Sequence, residues 1–366
     1  MDKKIVLNVT LMLENIHLSQ SVFCEANLLT SPIIPSLTDP YVVLWQYVTG
    51  TLSFLGTISN IILLLVFLHF PKLLFGAGFF IALLLANYLV LCAAVFPASV
   101  YIVAKTAWHP RPEDCKNCRY YMLFHSTGII LSSWLEALLA VNRLVAVLAP
   151  TQYAFVKQPR LQWAALLSVV GLTLASTVPP FFDLGSGFRM NAQGLCVFKL
   201  TSSGASGLFS FNQYVPILLS AAALLTVIKT VVSSQLNLHR SRSRIGAANS
   251  ATAVVAAAAR RRMETTKMLG VSFAIMALCQ LPIITLTLAI PYLQTVHPIA
   301  FMFCRFAQAV QCFLTPIVFL TMNKDYQGKI RLLWLGMKRP LPGASSVAPV
   351  RAHFRSVAAA VSGSLF

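Results

Sequence analysis

The sequence predicts an all-α membrane protein: a seven-transmembrane helix bundle followed by a short amphipathic eighth helix. Three observations carry that reading. Hydrophobic residues make up 57% of the 366 residues and charged residues only 10%, against about 25% charge in an ordinary soluble domain, and the mean hydropathy is +0.74. Apolar segments of bilayer-spanning length recur seven times along the chain. The net charge of +18 is not gathered into one patch, because the basic residues fall at predicted helix ends and in loops. On that topology 19 of the 28 Lys and Arg residues lie on the side of the carboxyl terminus, which is the positive-inside bias of a membrane protein and argues against a nucleic-acid partner.

Taken in order, residues 1–40 read as a polar extracellular tail. Asn8-Val9-Thr10 is a glycosylation sequon if this end lies outside the cell. Lys3-Lys4 is followed by an apolar stretch that Asn8, Glu14 and Asn15 interrupt, so no cleavable signal is read there. The seven-transmembrane domain covers 41–322. Tyr41–Leu68 is the first span and holds Gly56 and Asn60; a basic turn with Pro71-Lys72 follows. Gly76–Ala104 is the second span, with Asn87 buried near its middle and Pro97 kinking its upper part. Lys105–Asn117 is too polar to be embedded. The third span opens at Cys118 and runs to Pro150, a helix of roughly 50 Å at 1.5 Å per residue. Its interior polar residues His125, Ser132, Glu136 and Arg143 are expensive in lipid and should face protein.

Leu161–Phe182 is the fourth span, ended by Pro179-Pro180, and Asp183–Gly207 is an outer loop carrying Cys196. Leu208–Val232 is the fifth span, bent at Pro216. Ser233–Arg262 is the longest inner loop, with an alanine-rich run that either extends a flanking helix or stays mobile. Met263–Pro291, kinked at Pro282, and Pro298–Met322, broken at Pro316, complete the seven. The segment 323–366 reads as a cytoplasmic helix and tail. Within it Asp325–Met337 sets Tyr326, Ile330, Leu333 and Trp334 against Lys329 and Arg331, a pattern suited to lying on the inner leaflet and contacting membrane lipids. An odd number of spans puts the two ends on opposite sides, and the charge bias puts the carboxyl end inside. No nucleophile–base pair and no metal-ligand spacing is readable, so neither an enzyme nor a cofactor is expected.

The landmarks along these spans resemble those of the rhodopsin-like (class A) G-protein-coupled receptors across Tyr41–Met337. Asn60 matches the family's first-helix asparagine. Asn142-Arg143-Leu144 stands where the family has Asp-Arg-Tyr, Trp163 marks the fourth helix and Pro216 the fifth. Cys279-Gln280-Leu281-Pro282 resembles Cys-Trp-x-Pro, Thr315-Pro316-Ile317-Val318-Phe319 resembles Asn-Pro-x-x-Tyr, and Tyr326 matches the aromatic anchor of the short helix that follows. Asn142-Arg143, Pro71-Lys72-Leu73 and the Leu-Gly-x-Gly-Phe run at 184–188 are most similar to melatonin-related and invertebrate moody-type receptors.

The resemblance implies a plasma-membrane receptor with an outer ligand site and an inner site for a heterotrimeric G protein. It implies a Cys118–Cys196 disulfide; Cys24 and Cys115 are candidates for a second, or free thiols, while Cys92, Cys279 and Cys312 read as packing residues. The small-molecule or peptide ligand is expected among His125, Ser126, Ile129, Asn212, Gln280, Ile283, Arg305 and Gln308. His125 and Arg305 make that pocket neutral to positive, which favours an acidic or neutral polar ligand over a monoamine; Arg305 reaching instead for the outer interface is the alternative. Ala309 at the retinal-lysine position argues against a visual pigment.

The switch residues implied are Asn142, Arg143, Pro282, Thr315, Pro316 and Phe319. Both acids that restrain the family's arginine are replaced, by Asn142 and by Arg262, so raised basal activity is expected, with Glu264 the one candidate substitute. Asn87, Ser132 and Glu136 occupy a sodium-site-like position. With Asn87 in place of the family's aspartate, sodium modulation should be weak. Glu136 reads first as a buried, hydrogen-bonded neutral acid, then as a switch sensitive to pH or sodium, and last as a lipid-facing residue. A non-signalling scaffold or decoy is the main rival reading; a channel or transporter lacks the internal repeat it needs.

Overall fold

The computed structural model describes residues 39–108, 112–190, 196–200, 202–244, 250–288 and 297–335. The Asn8 sequon and the Cys24–Cys115 pairing lie outside the described residues. Among the described residues seven helices are long and apolar enough to cross a membrane, as the sequence predicts.

Helix α1 (Pro40–His69) starts where Asp39 accepts a hydrogen bond from the Tyr41 amide, with Pro40 in the first turn. Helix α2 comprises Ala77–Val90, a π-helical turn at Leu91–Val95 and Phe96–Trp108. Helix α3 is Pro112–Leu148, α4 is Pro159–Phe181, α5 is Ser203–Arg244, α6 is Ser250–Leu288 and α7 is Pro298–Met322. Helix α8 is Lys324–Trp334, capped by Asn323. The alanine-rich run therefore extends α6, and α3 and α5 start before the predicted spans do. The outer loop after α4 is not irregular: β1 (Ser186–Met190) pairs antiparallel with β2 (Cys196–Leu200).

Helix α3 is the axis of the bundle. Over half of its most apolar stretch, 56%, is buried, against 33% for α1, α4 and α6. Leu278, Leu225 and Phe54 are each at least 65% exposed on the outside of the bundle, side chains that only lipid would cover. Two glycines set the close approaches. A Cβ on Gly56 would sit 2.7 Å from the Cys92 sulfur, and one on Gly128 would sit 2.6 Å from a Leu91 methyl, so the Cys92 and Leu91 side chains of α2 rest directly on the backbones of α1 and α3.

Helix α7 is tied to α1 at two levels. Trp45 Nε1 donates to the Met302 carbonyl at 2.9 Å. Pro316 has no N–H for the carbonyl four residues before it, Cys312, and Asn60 Nδ2 donates there at 3.2 Å. The asparagine supplies the donor that the proline removes. The inner end of α8 is pinned by Tyr326 packing on Phe67 and by Lys329 over the Phe70 ring.

Candidate functional site

Polar side chains meet at three levels along α3. At the inner end, Asn142 is buried and its Oδ1 accepts from the Tyr153 hydroxyl at 3.2 Å. Tyr153 opens the single helical turn Tyr153–Val156 between α3 and α4. Arg143 lines a cleft between α3, α5 and α6 that reaches from Glu136 to Thr266. Its neighbours are the hydroxyls of Tyr153 and Tyr326, and its Nε has no hydrogen-bond partner. Among the described residues no carboxylate lies within ion-pair distance of it. Glu264 pairs with Lys324 of α8 at 3.2 Å instead, so it is not the substitute restraint. Burial pushes the Tyr326 hydroxyl up to about 12, with Arg143 working against that rise, so the group beside Arg143 is a neutral phenol at physiological pH. Thr315 and Phe319 are fully buried in the α7 core, and Pro282 and Pro316 interrupt the ladders of α6 and α7.

At mid-height a buried chain of side chains joins four helices. Ser133 donates to Gln280 Oε1 at 2.7 Å, and Gln280 Nε2 donates to Gln311 Oε1 at 3.1 Å. Gln311 Nε2 in turn donates to the Tyr88 hydroxyl at 2.8 Å and to Glu136 Oε1 at 3.3 Å, while Tyr88 donates to the same Glu136 oxygen at 2.6 Å. Glu136 is 6% exposed, which removes the lipid-facing reading. Sequence reasoning missed Tyr88 and Ser133 here. Of the sodium-site-like set Asn87, Ser132 and Glu136, Glu136 belongs to this chain, whereas Asn87 is half-buried with its Nδ2 donating to the Gly128 carbonyl at 2.8 Å. Ser132 donates into its own helix, to the Ile129 carbonyl.

At the outer end the Cys118–Cys196 disulfide ties β2 to α3, and Arg119 pairs with Asp183 at the start of the hairpin. Arg305 does not reach for the outer interface. It points inward, donating to the Cys196 carbonyl at 2.5 Å and to the Met122 sulfur, with its guanidinium 4.6 Å from the Phe301 ring centroid. A narrow cavity beside it is bounded by α1, α2, α3, α7 and Cys196.

The predicted ligand residues do not converge there. Asn212 accepts from Trp134 Nε1 at 2.9 Å, between α3 and α5. Gln280 belongs to the mid-height chain, and Ile283 packs with Ile217 and Met276. Ile129 is core, Ser126 is buried, and His125 lies between Phe96 and Tyr121 with Arg305 and Gln308 as its polar neighbours. Of the eight, only Arg305 lines the cavity.

A seven-helix bundle with a disulfide-tethered outer hairpin and an arginine at the inner end of its third helix defines a class, the seven-helix transmembrane receptors. The chain belongs to the 7 transmembrane receptor (rhodopsin family), whose family model matches residues 59–319. Its fold is similar to that of squid rhodopsin in a crystal structure, at a TM-score of 0.68 and 14% identity, over 82% of this chain and 88% of that one. Among curated proteins none is significantly similar in sequence.

Proposed function

We propose that this chain is a plasma-membrane receptor, amino terminus outside and carboxyl terminus in the cytoplasm, that relays an extracellular ligand to a heterotrimeric G protein with raised basal activity. One observation carries the reading: Arg143 lines an inner cleft between α3, α5 and α6 with no carboxylate in ion-pair distance among the described residues. Its neighbour Asn142 offers a neutral oxygen, already engaged by Tyr153. A neutral acceptor restrains a guanidinium less than a carboxylate does, since charge on both partners roughly doubles a hydrogen bond. An inactive–active equilibrium latched by neutral groups lies closer to its active side.

The half-buried cation Arg305 beside an outer cavity supports an acidic ligand over a cationic one. The segments Asn142-Arg143 and 184–188 keep moody-type receptors as the nearest subtype reading.

The test is nucleotide exchange on purified heterotrimeric G proteins, with receptor in nanodiscs and no added ligand. Wild type should exceed an empty-nanodisc control, and Arg143→Ala should return to it. Exchange at background in both, across representatives of each Gα class, would replace this reading with that of a non-signalling scaffold.

A further inference from the structure

Glu136 is a buried acid with no cation to balance it. It is 6% exposed, and among the described residues no Lys, Arg or His comes within ion-pair distance of it. Tyr88 at 2.6 Å and Gln311 at 3.3 Å both donate to its Oε1, which leaves Oε2 to carry the proton of a neutral acid. A bare carboxylate in such a place would bear the cost of leaving water without a compensating cation. The titratable groups that face it are the Tyr88 hydroxyl of α2, the Cys279 thiol of α6 and the Cys312 thiol of α7, and none of them is a cation.

The acid has a route to water. Glu136 also lines the inner cleft between α3, α5 and α6 on which Arg143 lies. The cleft has a volume of about 30 Å³, room for about one or two waters. Ser220 of α5 lines it too, is 1% exposed, and has no hydrogen-bond partner for its hydroxyl; a water in the cleft is the partner that it lacks. Thr266 and Ser272 add hydroxyls from the α6 side. Arg143, about two turns along α3 from Glu136, is the one cation among the described residues that line the cleft. The α6 wall is itself tied to the acid, because Gln280 donates to Gln311 and Gln311 donates to Glu136. Pro282 interrupts α6 just beyond Gln280.

We propose that Glu136 is a proton-binding site reached from the cytosol through the inner cleft, and that loss of its proton favours the open cleft. The inference deepens the receptor reading and rests on it for its signalling consequence; proton binding and opening are read without a G protein. With the cleft closed, the carboxyl is dry and keeps its proton. When the α6 wall moves away, water enters, and the carboxylate gains hydration and the attraction of Arg143. The proton passes to cleft water and from there to the cytosol. The open form therefore holds the proton less tightly than the closed one. A rise in cytosolic pH removes the proton and favours the open form, and a fall favours the closed form, by at most about ten-fold per pH unit for one proton.

The experiment uses full-length receptor in nanodiscs between about pH 5.5 and about pH 8.5. Infrared spectroscopy reads the protonated-carboxyl stretch, and hydrogen–deuterium exchange followed by mass spectrometry reads opening of the inner half of α6. Each signal is taken against Glu136→Gln at the same pH, which cancels the intrinsic pH dependence of amide exchange and the titration of other groups. Wild type should show a protonated-carboxyl band that Glu136→Gln lacks and that fades as pH rises. Its α6 exchange relative to the variant should rise about three-fold or more over the range, and ligand-free nucleotide exchange on the G protein, taken as the same ratio, should rise with it. Tyr88→Phe removes a donor that favours the charged form, so the midpoint of the band should move to higher pH; this variant carries the test if Glu136→Gln does not fold. No band lost in Glu136→Gln, a band unchanged across the range, a midpoint unmoved in Tyr88→Phe, or a flat α6 ratio while the band fades each overturn the proposal. The two readings fail separately. Arg143-dependent nucleotide exchange without a titrating band leaves the receptor reading and ends this one; a titrating band with α6 opening and nucleotide exchange at background at every pH does the reverse.

Discussion

Replacing Tyr88 by phenylalanine tests the mid-height chain most directly. The ring stays in the core while two hydrogen bonds vanish, the 2.6 Å donation to Glu136 and the 2.8 Å acceptance from Gln311. The Gln311 Nε2 group keeps only its 3.3 Å donation to Glu136. In membrane interiors, side-chain hydrogen bonds measured by double-mutant cycles average about 0.6 kcal/mol and reach about 1.7. A bond to an ionised group is worth about 1.5–3 kcal/mol. The short distance and full burial place the Tyr88–Glu136 pair at the upper end, so Tyr88→Phe should cost about 1–2 kcal/mol. The assay is unfolding in mixed micelles by titration with sodium dodecyl sulfate, run as a cycle with Glu136→Leu. A coupling of about 1 kcal/mol or more is expected, and additivity within about 0.5 kcal/mol would refute the bond. Glu136→Gln then reads the charge. An amide carbonyl can still accept from both Tyr88 and Gln311, so a neutral acid predicts a change below about 0.5 kcal/mol, whereas loss of a buried carboxylate's charged bonds predicts about 1.5 kcal/mol or more.

Other outcomes follow from the same geometry. Asn142→Asp places a charged oxygen beside Arg143 and keeps the Tyr153 bond, so basal nucleotide exchange should fall; exchange equal to or above wild type would contradict the weak-latch account. Exchanging choline chloride for sodium chloride at constant ionic strength should leave the unfolding temperature unchanged, because Asn87 faces Gly128 and the Glu136 oxygen is occupied by Tyr88 and Gln311. Asn60→Ala uncovers the Cys312 carbonyl that Pro316 leaves open, at a cost on the order of 1 kcal/mol in the same micelle assay. Tyr326 holds its proton more tightly folded than unfolded, so its contribution is intact below about pH 10 and is lost as pH rises towards about 12. A fluorophore on α8 should report undocking on that alkaline limb, less steeply in Tyr326→Phe.

The bundle was legible in the sequence because span length and inside charge are properties of segments, and a bilayer imposes them one segment at a time. The polar sites are properties of pairs. In α2 the buried residues Ile81, Leu84, Leu85, Tyr88, Leu91, Cys92 and Val95 form a stripe of helical period, yet the residues between them are nearly as apolar, so the sequence does not say which face is inside. Asn87 drew notice as the one amide in that run, and it lies about 100° around the helix from Tyr88. A tyrosine among leucines reads as apolar bulk until a carboxylate is placed 2.6 Å from its hydroxyl. Arg305 poses the same problem at longer range, since one of its acceptors is a backbone carbonyl 109 residues away, set in position by a hairpin that the sequence reads only as an outer loop. Polar residues in a soluble protein are sorted by water, which pulls them to one face. Inside a bilayer no such pull exists, and each must find a partner across the bundle.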